Sequence, residues 1–485
     1  MRYQELFKNV AMKAVVGRLD DLDIDAIVSD SRRVRKGSLF VALRGPNQDG
    51  HDFIDEAVRR QAVAVVLQDR SRIPSPAPQV PCVLVEDSLN TLVILAKNFF
   101  GDPCRNLKLV GITGTNGKTT VSYLIKSILE AAARPCGLIG TIGYQVRDKN
   151  VHLGNTTPGP LELQRIFQEM KEAGDVYAAM EVSSHALHQG RVAGLSFCAG
   201  VFTNLTQDHL DYHKDLEDYF QAKGKLFSES LSADGWSLIN ADDTYGARLA
   251  AARRGRVIRY GFTQGLDVRA TDYRLTAQGT RFSVSCSAGA LDLETKLIGK
   301  HNIYNILAAI CLGISQGVGL EDIRRGIEAV TQVPGRLERL TSPRGFHVFV
   351  DYAHTDDALK NVLESLRAIA HNGRIITVFG CGGDRDRTKR PKMGRVASSL
   401  SDFCVVTSDN PRSEDPQAII RDILEGMERD NYLVEPDRLE AIRHAIGMAK
   451  TGDLVLVAGK GHETYQITGD KVVPFDDREA VRKNL

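Results

Sequence analysis

From Leu107 to Ala132 the sequence allows essentially one local fold. A short apolar stretch, Leu107 to Val110, runs into Gly111-Ile-Thr-Gly-Thr-Asn-Gly-Lys-Thr-Thr120. Val121, Leu124, Ile125, Ile128, Leu129 and Ala132 then recur at helical spacing. The pattern is a strand, a glycine-rich turn and an amphipathic helix. Such a turn converges backbone N–H groups on a polyphosphate at the positive end of the helix. Gly114, Thr115, Asn116, Gly117 and Thr120 would form the cradle, with Lys118 reaching the terminal phosphates and the Thr119 hydroxyl binding Mg²⁺. The general pattern G-x-x-x-x-G-K-[ST] asks for glycine at 112 and meets Ile112, so what stands is the shorter Gly114 to Thr119 motif. A turn used only for packing is the competing reading; the Lys-Thr pair favours ATP.

At 485 residues the chain is too long for one core and predicts roughly three domains. With 62 Lys and Arg against 61 Asp and Glu, no overall field favours nucleic acid or an anionic membrane. The eight cysteines are scattered without a C-x-x-C pair, which reads as buried thiols in a reducing compartment. Met1 to Asp20 lacks a signal-peptide core, and the longest apolar run, Ala62 to Leu67, is far short of a membrane span. The expectation is a cytoplasmic protein.

Residues 1–102 read as a small α/β domain, with strands at Ser38 to Leu43 and Val63 to Leu67 and a helix from about Asp52. Gly101-Asp-Pro103 breaks the chain. Residues 103–332 alternate strands near 107–112, 176–183 and 198–203 with helical patterns, which predicts a parallel sheet with crossover helices. Short alternating runs between Val257 and Ile298, such as Thr280 to Cys286, suggest an antiparallel flank. After Val333-Pro-Gly-Arg336, residues 333–485 show strands near Val348–Asp351, Ile375–Gly380, Phe403–Thr407 and Leu454–Ala458. The fold class is therefore α/β in three domains: a small N-terminal one, a central phosphate-loop parallel sheet, and a C-terminal Rossmann-like one without G-x-G-x-x-G.

Ligands of open α/β sheets bind beyond strand C-termini. Glu181-Val-Ser-Ser-His185 ends one central strand, and its carboxylate suits a hard cation; a solvated carboxylate is the alternative. Thr203-Asn-Leu-Thr-Gln-Asp-His209 ends another. His209 and His213 are spaced i, i+4 but lack the Glu of H-E-x-x-H and a third ligand, so zinc is not indicated. From spacing alone, His209 as an aid to a second Mg²⁺ and His209 as a structural residue both stay open. Lys223, on a helical segment, reads as a solvated surface charge. Four C-terminal strand ends carry polar loops: Asp351 to His354, Gly380 to Arg387, Ser408 to Arg412 and Gly459 to Glu463. Loops rich in Gly, Arg and carboxylates suit a zwitterionic ligand.

Taken together, Asp30-Ser-Arg32, Thr113–Thr120, Asn155-Thr-Thr-Pro158, Glu181–His185, Thr203–His209, His301-Asn-Ile-Tyr-Asn305, Pro334-Gly-Arg336 and Asp351–His354 resemble, in order and over nearly the whole chain, the Mur ligases. These are ATP-dependent amide-forming enzymes of peptidoglycan precursor synthesis. The resemblance is strongest to the branch that adds the third amino acid to UDP-N-acetylmuramoyl-L-alanyl-D-glutamate. It implies ATP, two Mg²⁺ and a monomer, with Lys118, Lys223 and His209 catalytic and Thr119, Glu181, His209 and Lys223 (as a carbamate) holding metal. Asn302, Asn305, Arg336 and Asp351 would line the ATP site. Asn155, Thr156, Thr157, Ser184 and Arg191 would grip the nucleotide-sugar peptide, and Ser31 with the 44–51 turn its UDP. Arg385, Asp409, Asn410, Pro411, Arg412, Gly459 and Glu463 would receive the incoming amino acid. Asp409-Asn-Pro-Arg412 is the version that accompanies meso-diaminopimelate; the L-lysine-adding version lacks the arginine.

One departure is Asp356, where the family has proline, so the loop after His354 is expected to be less rigid. A folylpolyglutamate synthase-like ligase is the enzymatic rival, opposed by residues 1–102. A regulatory GTPase would need N-K-x-D, and the chain has no Asn-Lys pair.

Overall fold

The computed structural model describes residues 1–19, 22–45, 48–73 and 80–485. Three α/β sheets succeed one another along the chain. The first has five strands in the order Met12–Val16, Cys82–Val85, Ala64–Leu67, Ser38–Val41 and Ala26–Val28. Only the first pair is antiparallel. The strand expected to reach Leu43 stops at Val41, and a 3-10 turn, Gly50–Phe53, precedes the helix Ile54–Arg59. Within the 44–51 turn, Pro46 and Asn47 lie outside the described residues. Helix Ser88–Phe100 ends at Gly101 in the left-handed region, where glycine terminates a helix without strain.

The second sheet has eleven strands, and the phosphate-loop strand Lys108–Thr113 lies within it between Phe197–Phe202 and Tyr177–Glu181. All three run parallel, so their C-terminal ends deliver Gly114, Glu181 and Thr203 to one edge. The expected antiparallel flank is present as Val268–Thr276, Gly279–Cys286 and Gly289–Thr295. A second hairpin, Gly143–Val146 with Lys149–Val151, closes the opposite edge. Strands buried on both faces are apolar throughout; Val110, Ile112, Ala178 and Met180 are fully buried. Helices Lys118–Ala131, Lys300–Ser315 and Leu320–Ala329 cover one face, and Pro160–Ala173 with Leu216–Ser228 the other.

The third sheet orders its strands Glu338–Thr341, His347–Asp351, Leu454–Ala458, Ile375–Phe379, Phe403–Val406 and Tyr432–Val434. It shares the Rossmann layering, with helices on both faces. Its strand order differs from the dinucleotide-binding one, because the strand of this sheet that comes latest in the chain, Leu454–Ala458, inserts between its second and third strands. The four polar loops all emerge at the C-terminal ends of the parallel strands. Asp356 opens the helix Asp356–Ile369 behind the N-cap Thr355, whose hydroxyl accepts from Ala358 N at 3.2 Å. The expected loss of rigidity at Asp356 is therefore not seen: an acidic residue in the first helical turn suits the helix dipole, and the cap holds the loop.

The phosphate-loop helix is seated by Gly326. A Cβ there would lie 2.5 Å from Ile128 Cα, and the Gly326 carbonyl accepts from Ser127 Oγ at 2.7 Å. Gly326→Ala would force two helix backbones apart and should destabilise the chain by about 2 kcal/mol, read as a lowered urea midpoint with unchanged m-value.

Candidate functional site

The turn after Thr113 is closed by contacts only glycine permits. Gly114 has φ +145°, and a Cβ on it would fall 1.9 Å from Thr203 Oγ1; Gly117, at φ +91°, would collide with Asn305 Oδ1. Thr115 N donates to Asn204 O and Asn116 N to Asn204 Oδ1, each at 2.9 Å. Thr115 Oγ1 lies 3.3 Å from the Tyr219 hydroxyl. Gly117 caps the helix with no side chain, which leaves the first-turn N–H groups of Lys118, Thr119 and Thr120 facing the site. Ile112 is explained by its place: it is a buried strand residue paired with Glu181, and the turn starts only at Gly114.

Lys223 is 1% exposed, contrary to the surface reading of its residue type. Its helix lies close on the sheet because Gly111 and Gly200 have no side chains, which leaves room for Leu226 and Phe227. One turn earlier on the same face, Lys223 Nζ donates to Gly114 O at 2.9 Å and sits 4.2 Å from the Tyr219 ring centroid. Lys118 Nζ donates to the same carbonyl at 2.9 Å and to Thr115 O at 2.8 Å. Burial, then repulsion from Lys118, brings the Lys223 amine well below its ordinary pKa. Lowering the pKa enlarges the neutral, nucleophilic fraction of the amine.

Glu181 is 1% exposed; Thr141 donates to it through N and Oγ1, both at 2.9 Å. Among the described residues no Lys or Arg forms an ion pair with it. A buried carboxylate without a cationic side-chain partner fits a hard divalent cation. Burial keeps His209 neutral against the pull of Asp208, the form in which an imidazole binds metal. Burial opposes ionisation of Asp208, but His209, His354 and Lys389 outweigh it. The residues present therefore suit Mg²⁺.

The polar residues below Glu181 form one network. Thr157 Oγ1 donates to Glu181 O at 2.9 Å, Arg191 Nη1 to Thr157 O at 3.0 Å, and Ser184 Oγ meets His213 Nε2 at 3.0 Å. Thr156 Oγ1 is 3.2 Å from Thr141 Oγ1. Asn155 is exposed on the adjacent bend. Ser31 stands apart in the N-terminal sheet region, its hydroxyl bonded to Glu56 Oε2 at 2.8 Å.

A cavity of about 570 Å³ opens beside the loop, lined by Thr120, Asn302, Asn305, Arg336 and Asp351 among others. Asn305 Nδ2 bonds Asn302 Oδ1 at 3.0 Å, and Arg336 Nη2 reaches Thr119 Oγ1 at 3.0 Å while its guanidinium stacks on Tyr352. Asp351 accepts from Leu337 N and Ala353 N at 2.6 and 2.8 Å. Asp357 accepts from Asn116 Nδ2 at 2.9 Å and Thr206 Oγ1 at 3.2 Å, so the C-terminal sheet is fastened to the phosphate loop itself. Residue reasoning missed Asp208, His354, Asp357 and Lys389. An acidic first helical turn reads as dipole compensation, and only the fold turns Asp357 toward another domain.

The four polar loops are joined to one another at the C-terminal edge of the third sheet, Tyr352 reaching Glu463. Arg412, in the left-handed region at φ +53°, donates through Nη1 to Gly383 O at 2.8 Å; among the described residues its Nε and Nη2 have no partner. Asn410 Nδ2 donates to Glu463 Oε2 at 2.9 Å. Gly459 (φ +116°) admits the Asp409 carboxylate, which a Cβ would meet at 2.5 Å. Pro411 is buried between these groups, while Arg385 is exposed at the rim, bonded to Asp384 O at 3.0 Å. Arg390, 1% exposed, joins Glu414 and Asp422, and Glu414 also accepts from Asp384 N, so the 382–387 and 411–414 loops are cross-linked.

Residues 23–100 match the family description "Mur ligase family, catalytic domain", 112–313 "Mur ligase middle domain" and 335–461 "Mur ligase, glutamate ligase domain". The chain is 44% identical over 484 residues (99% of this chain, 98% of the relative) to UDP-N-acetylmuramoyl-L-alanyl-D-glutamate--2,6-diaminopimelate ligase 1 of Clostridium acetobutylicum. It is 45% identical to the ligase of the same description from Geobacter metallireducens, over 99% of this chain and 98% of that one. A solved structure titled as a UDP-N-acetylmuramoyl-L-alanyl-D-glutamate--2,6-diaminopimelate ligase superposes with TM-score 0.69 at 31% identity, covering 100% of this chain and 98% of that one. Similarity of this extent, running through all three sheets, means that the chain belongs to the Mur ligase family.

Proposed function

We infer that the chain joins meso-2,6-diaminopimelate to the γ-carboxylate of the D-glutamyl residue of UDP-MurNAc-L-Ala-D-Glu, using ATP through an acyl phosphate. The reading assigns 1–102 to the UDP end, 103–332 to ATP and 333–485 to the amino acid. The observation that carries it is the run of contacts joining two sites: Arg336 reaches Thr119 of the phosphate loop and stacks on Tyr352, whose hydroxyl lies 3.4 Å from Glu463 Oε1. A phosphate loop with two convergent lysines lies on one sheet, and a pocket with a free guanidinium edge and a carboxylate lies on the other.

A carboxylate does not react with an amine unless its oxygen becomes a leaving group. Lys118 and the first-turn N–H groups would lie against the γ-phosphoryl and offset the charge that builds as it passes to the glutamyl carboxylate. Arg336, already on Thr119, would add a second cation there, and Asn302, Asn305 and Asp351 would line the nucleoside end. Mg²⁺, when bound through Thr119, Glu181, His209 and a Lys223 carbamate, supplies charge neutralisation of the phosphates. Lys223 has the chemistry for that modification: a buried amine held well below its ordinary pKa, whose unprotonated nitrogen can add to CO₂ with loss of one proton. Thr156, Thr157, Ser184 and Arg191 would hold the peptide beneath Glu181, with Asn155 at the rim and Ser31 at the UDP.

Arg412 Nε and Nη2 would take the distal carboxylate of diaminopimelate side by side, and Glu463 its distal ammonium. The contacts of Asp357 and of Lys392 Nζ with Gln207 Oε1 (2.6 Å) hold the two sheets together, so that the amine meets the acyl phosphate away from water.

Phosphate release in the presence of UDP-MurNAc-dipeptide tests the reading directly. With L-lysine in place of meso-diaminopimelate, kcat/KM should fall by at least about 10³-fold, because Arg412 is left without its carboxylate; equal rates would overturn the assignment. Lys118→Ala should remove acyl-phosphate formation, lowering phosphate release by roughly 10³-fold or more. Lys223→Ala should lose activity and regain part of it when acetate or formate is added with Mg²⁺. Lys223→Arg should show no such recovery, since no space remains for the added carboxylate.

A further inference from the structure

Lys460 belongs to the 459–463 loop, yet none of the roles above uses it. It is fully buried, at 0% exposure. Its ammonium donates to Asn410 Oδ1 at 3.1 Å and to Glu463 Oε2 at 3.2 Å, beside the Tyr465 ring. A buried ammonium is costly unless paired and hydrogen-bonded, so these two acceptors and Lys460 form one unit.

The unit has a direction. Asn410 Oδ1 accepts from Lys460 Nζ and from Ile467 N, the latter at 3.0 Å, which commits Nδ2 to the other side, where it donates to Glu463 Oε2. Ile467 N and the carboxylate hold the amide in this same sense, and Lys460, bonded to both Asn410 and Glu463, ties the amide and the carboxylate together. Glu463 Oε2 thus receives two donors, whereas among the described residues Oε1 has only the Tyr352 hydroxyl at 3.4 Å. Oε1 is the oxygen kept available. A hairpin, Tyr465–Thr468 with Lys471–Pro474, pins the backbone of the same loop. Gln466 Nε2 donates to Asp409 O at 2.7 Å, Arg412 N to Ile467 O at 3.1 Å, and Gly469 N to Arg412 O at 2.7 Å.

We propose that Lys460 is a positioning residue for amino-acid specificity. It ties the Asn410 amide to the Glu463 carboxylate and, by occupying Oε2, leaves Oε1 for the substrate's distal ammonium without touching the substrate. This rests on reading the 409–412 and 459–463 loops as the diaminopimelate pocket.

The test is steady-state phosphate release by the full chain and its Lys460→Met, Asn410→Ala and double variants, with each substrate varied in turn. Lys460→Met should raise KM for diaminopimelate about tenfold or more, leaving KM for ATP and for the nucleotide peptide within about twofold. The double variant should be no more than about twofold worse than the more impaired single one, because both substitutions break one unit. Independent, multiplying effects, or an equal rise in all three KM values, would overturn the proposal. Should Lys460→Met not fold, Lys460→Gln keeps a donor of similar reach without the charge. It should show the same selective rise, smaller in size, and an unchanged KM would again overturn the role. The unsubstituted chain separates the two levels. Failure to use diaminopimelate at all sinks the pocket reading, whereas normal use with unaffected variants sinks only the role of Lys460.

Discussion

One carbonyl oxygen organises the central site. Gly114 O accepts from both Lys118 Nζ and Lys223 Nζ, at 2.9 Å each. Two ammonium groups so placed are no more than about 6 Å apart and would repel by roughly 3 kcal/mol at an effective dielectric near 20. Dry surroundings make the arrangement costlier still and lower the pKa of both amines. Everything that makes this geometry possible is a missing side chain. Gly114 lets the turn touch Thr203, while Gly111 and Gly200 let the lysine-bearing helix lie against the sheet. The loop is thus a reservoir of positive charge held by packing, waiting on an anion.

What the residues reveal by themselves follows from how local each feature is. The phosphate loop is legible because strand, glycine turn and helix are contiguous, and the polar strand-end loops are legible because each follows an apolar run. Ile112 looks like a defect until the strand is seen to continue through it. Lys223 misleads because residue type outweighs position. Tyr219, Leu226 and Phe227 at i−4, i+3 and i+4 place it on the apolar stripe, a signal present in the sequence but set aside. Asp357 has no such signal, since its partners are brought up by distant segments; for Lys460, Glu463 is near in the chain but Asn410 is fifty residues away. Asp356 shows the opposite error. A missing proline suggests a looser loop, but the position is the first residue of a capped helix, where aspartate serves as well.

The two working faces are supported differently. The phosphate loop is held from below by close backbone contact, whereas the amino-acid pocket is held by charge. Arg390 with Glu414 and Asp422 ties two of its loops. Arg438, fully buried with Asp477, reaches Ala458 O at the base of a third. Buried ion pairs contribute little net stability but tolerate few alternative arrangements. That suits a pocket that must tell two similar amino acids apart.

The strand order of the third sheet has a consequence for synthesis. Leu454–Ala458 pairs with both His347–Asp351 and Ile375–Phe379, about a hundred residues upstream. Until it emerges, the sheet lacks the strand that joins its two halves, and Gly459 to Glu463 trail behind it. A chain still being made can therefore complete its central sheet early, while the third sheet and the polar loops at its strand ends close only when translation is nearly finished.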